Sequence, residues 1–182
     1  MVIGGWRGPA WRVLDADPHH TGTVRQLVQS AITGHDCCIA RRRGGAVDPD
    51  DAAMVISELF TNALMHGPAD GRVLVGYCLW REGARLVVCD GGGPGTPQIL
   101  DTEPQAEGGR GLRIVNALTA RWGFFSVPGA RVVWCDFGAP LHAAPSDAWA
   151  WLYRVLSQST LSVPDCPAFV TCMGTPAIAG AR

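Results

Sequence analysis

Three polar side chains stand at four-residue intervals in the largely apolar stretch S-E-L-F-T-N-A-L-M-H-G, residues 57–67. They are Glu58, Asn62 and His66. At about 100° per residue, each step advances by ~40°, so the three side chains form a slanting row beside the apolar face of a helix. A carboxylate, an amide and an imidazole placed there would face a ligand lying next to the helix. The alternative is an ordinary solvated helix face, with Asn as a helix-end signal.

Two glycine-rich turns follow this helix along the chain. The first, D-G-G-G-P-G-T-P, begins at Asp90 directly after an apolar run. It puts a carboxylate at the end of a strand and lets the backbone approach a ligand closely. The second, E-G-G-R-G-L-R-I-V at residues 107–115, leads into a helix that starts at the 109–111 turn. The unpaired N–H groups at a helix start suit phosphate oxygens. Each turn alone is common, but the ordered set of three motifs is not expected by chance.

The ordered motifs E-x-x-x-N-A-x-x-H-G, D-x-G-G-P-G and G-G-R-G-L resemble the GHKL ATPase superfamily over residues 10–138. The short chain and the compact loop between the glycine boxes resemble the bacterial anti-sigma-factor serine/threonine kinases. The resemblance implies ATP and Mg²⁺ as ligands. It also implies a role in transcription regulation with a protein partner, either a sigma factor or its antagonist, and it leaves a homodimer open.

The same resemblance assigns roles to individual residues. Glu58 matches the catalytic acid that orients or deprotonates the attacking hydroxyl, and Asn62 matches the Mg²⁺ ligand. Asp90 matches the adenine reader, which accepts a hydrogen bond from the exocyclic amine that guanine does not present at that position. The other implied ATP-binding residues end the nucleotide helix, approach the base or hold the phosphates: His66, Gly67, Gly92, Gly93, Gly95, Gly109, Arg110, Gly111 and Leu112.

Two alternatives to a kinase follow from the glycine-rich segments. Residues 96–108 are acidic and contain no basic residue before Arg110. Phosphoryl transfer needs positive charge around the γ-phosphate, so a catalytically inactive ATP-binding interaction module is the runner-up. A dinucleotide-dependent oxidoreductase is disfavoured, because D-G-G-G-P-G leads into T-P-Q-I-L-D-T-E-P, which cannot begin a regular helix.

The elements that must position these residues follow from apolar periodicity and from caps. The order is helix, helix, hairpin, long loop, helix and hairpin, which predicts an α/β (α+β) two-layer sandwich. In it, a mixed, mostly antiparallel sheet is covered by helices on one face. The predicted elements are a short strand at 11–14, a helix from Pro18 to Gly34, a helix from Asp48 to Gly67, strands at 72–80 and 85–90, a helix starting at the 109–111 turn, and strands at 124–127 and 131–137.

Composition restricts the class of protein. The chain has 182 residues, of which 47% are hydrophobic and 17% charged, with a net charge of −1. One domain with a packed core fits these values, and a dedicated nucleic-acid surface does not. All 15 basic residues are Arg, which is typical of GC-rich codon usage, as in actinobacteria. The seven Cys lack C-x-x-C spacing, and no apolar run suggests a leader or a membrane span. We therefore expect a cytoplasmic protein that binds neither nucleic acid nor membrane.

The sequence predicts three regions. Residues 1–17 form an irregular lead-in, residues 10–138 the ATP-binding domain, and residues 139–182 a C-terminal extension. In the extension, Trp149, Leu152, Val155 and Leu156 have helical spacing within 146–157, and a Pro-rich end follows. We expect this helix to pack against the domain or a partner, as an appendage to the ATP-binding fold.

Overall fold

The computed structural model describes residues 7–34, 47–68, 71–80, 83–92, 110–127 and 130–138. Five strands and three α-helices make up this part of the chain. In order, they are β1 (Arg7–Asp15), a short 3-10 helix (Pro18–His20), α1 (Thr21–Thr33), α2 (Pro49–His66), β2 (Arg72–Trp80), β3 (Gly83–Asp90), α3 (Arg110–Leu118), β4 (Arg121–Val127) and β5 (Ala130–Gly138).

The central helix, α2, begins and ends as its sequence predicts. Asp48 is the N-cap, and its side chain accepts hydrogen bonds from the backbone N–H groups of Asp50 and Asp51. Pro49 occupies the first turn, where the absence of an N–H costs nothing. Gly67 ends the helix, and its N–H donates to the carbonyl of Ala63. These caps fix where the helix begins and ends, and burial of Ile56, Phe60 and Ala63 in the core fixes which way the row of polar residues faces.

Helix α1 packs beside α2 through both apolar and polar contacts. Val24, Val28 and Ile32 are buried on one face, and Gly34 ends the helix. The Nε of Arg25 donates to the hydroxyl of Ser57 over 3.2 Å. The amide of Gln29 donates to a carboxylate oxygen of Asp50 over 2.8 Å. These bonds join the outer helix to the helix that carries the polar row.

The five strands form one sheet in the order β1-β2-β3-β5-β4. Every pairing among the described strands is antiparallel, so the predicted mixed sheet is antiparallel throughout this part of the chain. The crossover from β3 through α3 and β4 places β5 in register with β3, so that Asp90 lies opposite Arg131.

Alternate residues of the strands define two faces, because successive side chains in a strand point to opposite sides. The helix face packs against α1, α2 and α3 in one hydrophobic core, as predicted. Its core residues include Val73, Val75, Leu79, Ala84, Leu86, Val88, Val133, Cys135 and Phe137. We call the opposite side the second face. It carries Leu74, Cys78, Trp80, Arg85, Val87, Cys89, Val132, Trp134 and Asp136.

Most predicted helices and strands are confirmed, with shifted ends. The strand predicted at 11–14 extends over Arg7–Asp15, because it pairs with almost the whole of β2. Strand β4 begins three residues earlier than predicted, at Arg121. The loop predicted at 35–46 and the extension 139–182 lie outside the described residues. Among the described helices, none is both long and apolar enough to cross a membrane.

Candidate functional site

The polar row of α2 meets the start of α3. Gly111, in the first turn of α3, lies so close to α2 that a methyl group in its place would be 2.7 Å from Oε2 of Glu58. The same methyl group would be 3.4 and 3.5 Å from the side-chain nitrogen and oxygen of Asn62. Glu58 and Asn62 are both half-buried. Any side chain at Gly111 would therefore fill the space between the helix start and these two polar groups.

The end of α2 lies against the end of β3. A methyl group at Gly67 would be 3.3 Å from Cβ of Asp90 and 2.6 Å from the carbonyl oxygen of Ala63. His66, the last residue of α2, is exposed. The absence of a side chain at Gly67 thus permits Asp90 to sit directly beside the helix end.

Asp90 is buried, with 3% of its surface exposed, and its carboxylate is held by two groups. Nε and Nη2 of Arg131 both donate to Oδ2, over 3.2 and 3.0 Å. The backbone N–H of Gly92 donates to Oδ1 over 2.7 Å. Gly92 has φ of 74°, a conformation that glycine adopts without strain. A carboxylate has about four lone-pair sites, so these three bonds leave Oδ1 able to accept one further donor.

The site therefore has two chemically different ends. The Asp90 end offers a buried acceptor, and the Gly111 end offers the N-terminus of α3 beside a carboxylate and an amide. Gly67 follows Glu58 by nine positions along α2, which is about 13.5 Å along the helix axis. An elongated ligand with an N–H donor at one end and an anionic group at the other fits this arrangement.

The remaining predicted site residues are divided between this site, the core and the segments outside the described residues. Arg110 is the exposed first residue of α3. Leu112 is buried in the core, so its side chain anchors the start of α3. Gly93, Gly95 and Gly109 lie outside the described residues.

Arg131 is the site residue that the sequence did not reveal. It is buried, with 5% of its surface exposed, and its guanidinium forms the ion pair with Asp90 across neighbouring strands. The two residues are 41 positions apart. The only signal available in the sequence was the strand predicted at 131–137, which begins with a charged residue in an otherwise apolar run.

The fold of this chain is similar to that of a solved protein structure. The structure of the RsbU and RsbW domains of Rv1364c from Mycobacterium tuberculosis is similar, with 21% sequence identity and a TM-score of 0.49. The match covers 74% of this chain and 34% of that one, so this chain spans about a third of its length. None of the curated proteins matches the chain.

A family model gives the decisive match. Residues 14–135 match the model described as histidine kinase-like ATPase domain. The matched stretch includes the three α-helices, the last two residues of β1, strands β2 to β4 and β5 as far as Cys135, and with them both ends of the candidate site. Because it spans more than half of the 182 residues, the chain belongs to the family of histidine kinase-like ATPase domains.

Proposed function

We propose that the protein binds ATP with Mg²⁺ between α2, the end of β3 and the start of α3. We further propose that it acts as a regulator of the anti-sigma-factor serine/threonine kinase type. The observation that carries the nucleotide site is the joint placement of Glu58, Asn62 and Gly111 at one end and Asp90 at the other. In this proposal the protein partner is a sigma factor or its antagonist, and a Ser or Thr of the antagonist is the phosphoryl acceptor.

At the Asp90 end of the site, the direction of a hydrogen bond distinguishes adenine from guanine. The exocyclic amine of adenine donates to Oδ1 of Asp90, whose orientation is fixed by Arg131 and Gly92. Guanine presents an oxygen acceptor at the same ring position, and two acceptors facing each other leave a buried group unsatisfied. The phosphate end works through the N–H groups at the start of α3, where Gly111 keeps the backbone accessible.

Two residues of α2 act at the phosphate end. Asn62 contributes a hard oxygen ligand of the type that Mg²⁺ binds together with phosphates. When bound, Mg²⁺ neutralises charge on the phosphate oxygens. Glu58 accepts a hydrogen bond from the incoming Ser or Thr hydroxyl and takes its proton, while the hydroxyl oxygen bonds to the γ-phosphorus of ATP and ADP leaves with the bridging oxygen. The absence of a side chain at Gly111 is what allows the start of α3 to lie this close to Glu58 and Asn62, so the three can act on one phosphate group.

The proposal is tested by nucleotide selectivity. Calorimetric titration of the wild-type protein in Mg²⁺ is expected to show ATP binding ~10–100-fold more tightly than GTP, equivalent to about 1–3 kcal/mol for a mispaired buried group. Asp90→Asn should lose a similar amount of ATP affinity. The amide nitrogen of Asn can occupy the position of Oδ1, and a donor there faces the amine donor of adenine. Equal affinity of the wild-type protein for ATP and GTP would show that Asp90 does not read the base.

The matched control for Asp90→Asn is Asp136→Asn. Asp136 is also a buried carboxylate paired with arginine, and it lies on the second face. Both variants lose stability by the same mechanism, so both are titrated well below their own melting temperatures. Only Asp90→Asn should lose ATP affinity, and a comparable loss in both variants would mean that destabilisation explains the effect.

A second prediction concerns the metal. Asn62→Ala should bind ATP with an affinity that no longer depends on Mg²⁺, because the amide oxygen at the phosphate end is gone. The side chain is half-buried at the border of the core, so the circular-dichroism melt should change little. The measurement is calorimetry with Mg²⁺ or with EDTA, and Thr61→Ala on the same helix serves as the control. Persistence of the wild-type Mg²⁺ dependence in Asn62→Ala would remove Asn62 from the site.

A further inference from the structure

The second face of the sheet is buried as deeply as the helix face. Leu74 and Cys89 are 0% exposed, Val87 is 1% and Trp134 is 2%. All eight residues of β3 are buried, and so are the first eight of β5. An antiparallel sheet with one solvated face shows alternation of buried and exposed residues, and continuous burial is typical of strands covered on both sides. Some part of the chain beyond the described helices must therefore cover this face.

The helices α1, α2 and α3 do not provide that cover. Their buried residues share one core cluster with Val75, Leu86 and Val133 of the helix face, and none of the second-face residues named above belongs to it. The connecting segments 35–46 and 93–109 each lead into a helix of the helix face. Residues 1–6 are six in number, and the three segments 69–70, 81–82 and 128–129 have two residues each. Residues 139–182 are the longest stretch outside the described residues, and they follow directly on β5.

The chemistry of the extension suits the second face. Its apolar stripe within 146–157 matches the apolar surface formed by Leu74, Val87 and Trp134. The face also carries one charged cluster, in which Asp136 lies between two arginines, giving a net charge of +1. Within 146–157 the extension has one acid, Asp147, and one base, Arg154, so its charge is balanced and the match rests on the apolar stripe.

We propose that residues 139–182 cover the second face of the sheet, with the apolar stripe of 146–157 packed over β2, β3 and β5. The ATP-binding domain then has three layers, and the extension belongs to its core instead of hanging from it. The second face is consequently closed to other proteins, so a regulatory partner or a second copy of the chain must use another surface.

Thiol labelling of the full chain tests the proposal, because the two faces carry different cysteines. Cys78 and Cys89 lie on the second face, and Cys135 lies in the core of the helix face. Burial raises the pKa of Cys78 to about 11 and also raises that of the other two thiols. Leu152→Asp, which puts a charge on the stripe, should raise the iodoacetamide labelling rate of Cys89 relative to Cys135 at least ~10-fold, as measured by peptide mass spectrometry.

The control is Ala150→Asp, which adds the same charge on the opposite side of the helix predicted within 146–157 and should leave the ratio unchanged. If Leu152→Asp unfolds the chain, Cys135 will label as fast as Cys89, and the milder Leu152→Ala is then used; it too must raise the ratio. An unchanged ratio in a folded variant overturns the proposal. A wild-type Cys89 rate that falls as protein concentration rises, with no effect of Leu152→Asp, also overturns it and assigns the face to a second copy.

Discussion

Replacing Asp136 with leucine is expected to lower the free energy of unfolding by about 3–5 kcal/mol. The Asp136 side chain is fully buried and accepts hydrogen bonds from Nε and Nη2 of Arg85, over 2.6 and 2.8 Å, and from Nε of Arg121, over 2.7 Å. Removing the carboxylate takes away both of these short hydrogen bonds from the buried guanidinium of Arg85. Breaking a buried ion pair by removing one partner costs more than the lost hydrogen bonds themselves, because the other charge stays desolvated.

The measurement is urea unfolding followed by circular dichroism, and a double variant separates the two explanations. In Arg85→Met with Asp136→Leu, both charges of the buried pair are gone, and Arg121, whose side chain is 31% exposed, can turn to solvent. The double variant should therefore be more stable than Asp136→Leu alone. A loss below about 1 kcal/mol in Asp136→Leu would show that solvent reaches the cluster.

Replacing Glu58 with glutamine is expected to reduce phosphoryl transfer or ATP hydrolysis at least ~100-fold, the lower range for a general base. The substitution keeps the shape of the side chain next to Gly111 and removes only its charge. ATP affinity should stay equal or rise slightly, because a carboxylate repels the phosphates and its value lies in the transition state. Turnover is measured with candidate antagonist proteins, and affinity by calorimetry.

Asp51→Asn is the control for Glu58→Gln. It removes a carboxylate from the same helix, nearly two turns earlier, and should leave turnover at the wild-type rate. Wild-type turnover in Glu58→Gln would place the chemistry on another residue. Absence of turnover in the wild-type protein with every partner tried would favour the alternative of an ATP-binding interaction module, in which Glu58 has no catalytic task.

The sequence predicts best where a local signal exists. Asp48, Pro49 and Gly67 mark the ends of α2, and hairpin turns mark the β2–β3 and β4–β5 pairs, so the helix face could be predicted together with the Glu58–Asn62 row. Its approach to Gly111 was implied only by family resemblance, because nothing local to α2 or α3 determines how two helices meet.

What the sequence does not predict depends on long-range register. Asp90 and Arg131 pair because β3 and β5 are neighbours, and no turn connects those two strands. The length of β1 follows in the same way from pairing with β2, beyond two intervening helices. Arg85 and Arg121 appear in sequence as ordinary charged residues, and only the packed sheet shows that both hold Asp136.

If Asp90 reads the base as proposed, its ion pair with Arg131 also links nucleotide concentration to local unfolding. Asp90 ends the β2–β3 hairpin, and Arg131 begins the second strand of the β4–β5 hairpin, so the carboxylate is oriented only while the two hairpins are docked. A ligand that needs this orientation binds the docked form, and by mass action it makes opening of the β4–β5 hairpin rarer. The ATP concentration in the cell would thus affect how often the β4–β5 hairpin separates from β3, as well as what fraction of the sites is occupied.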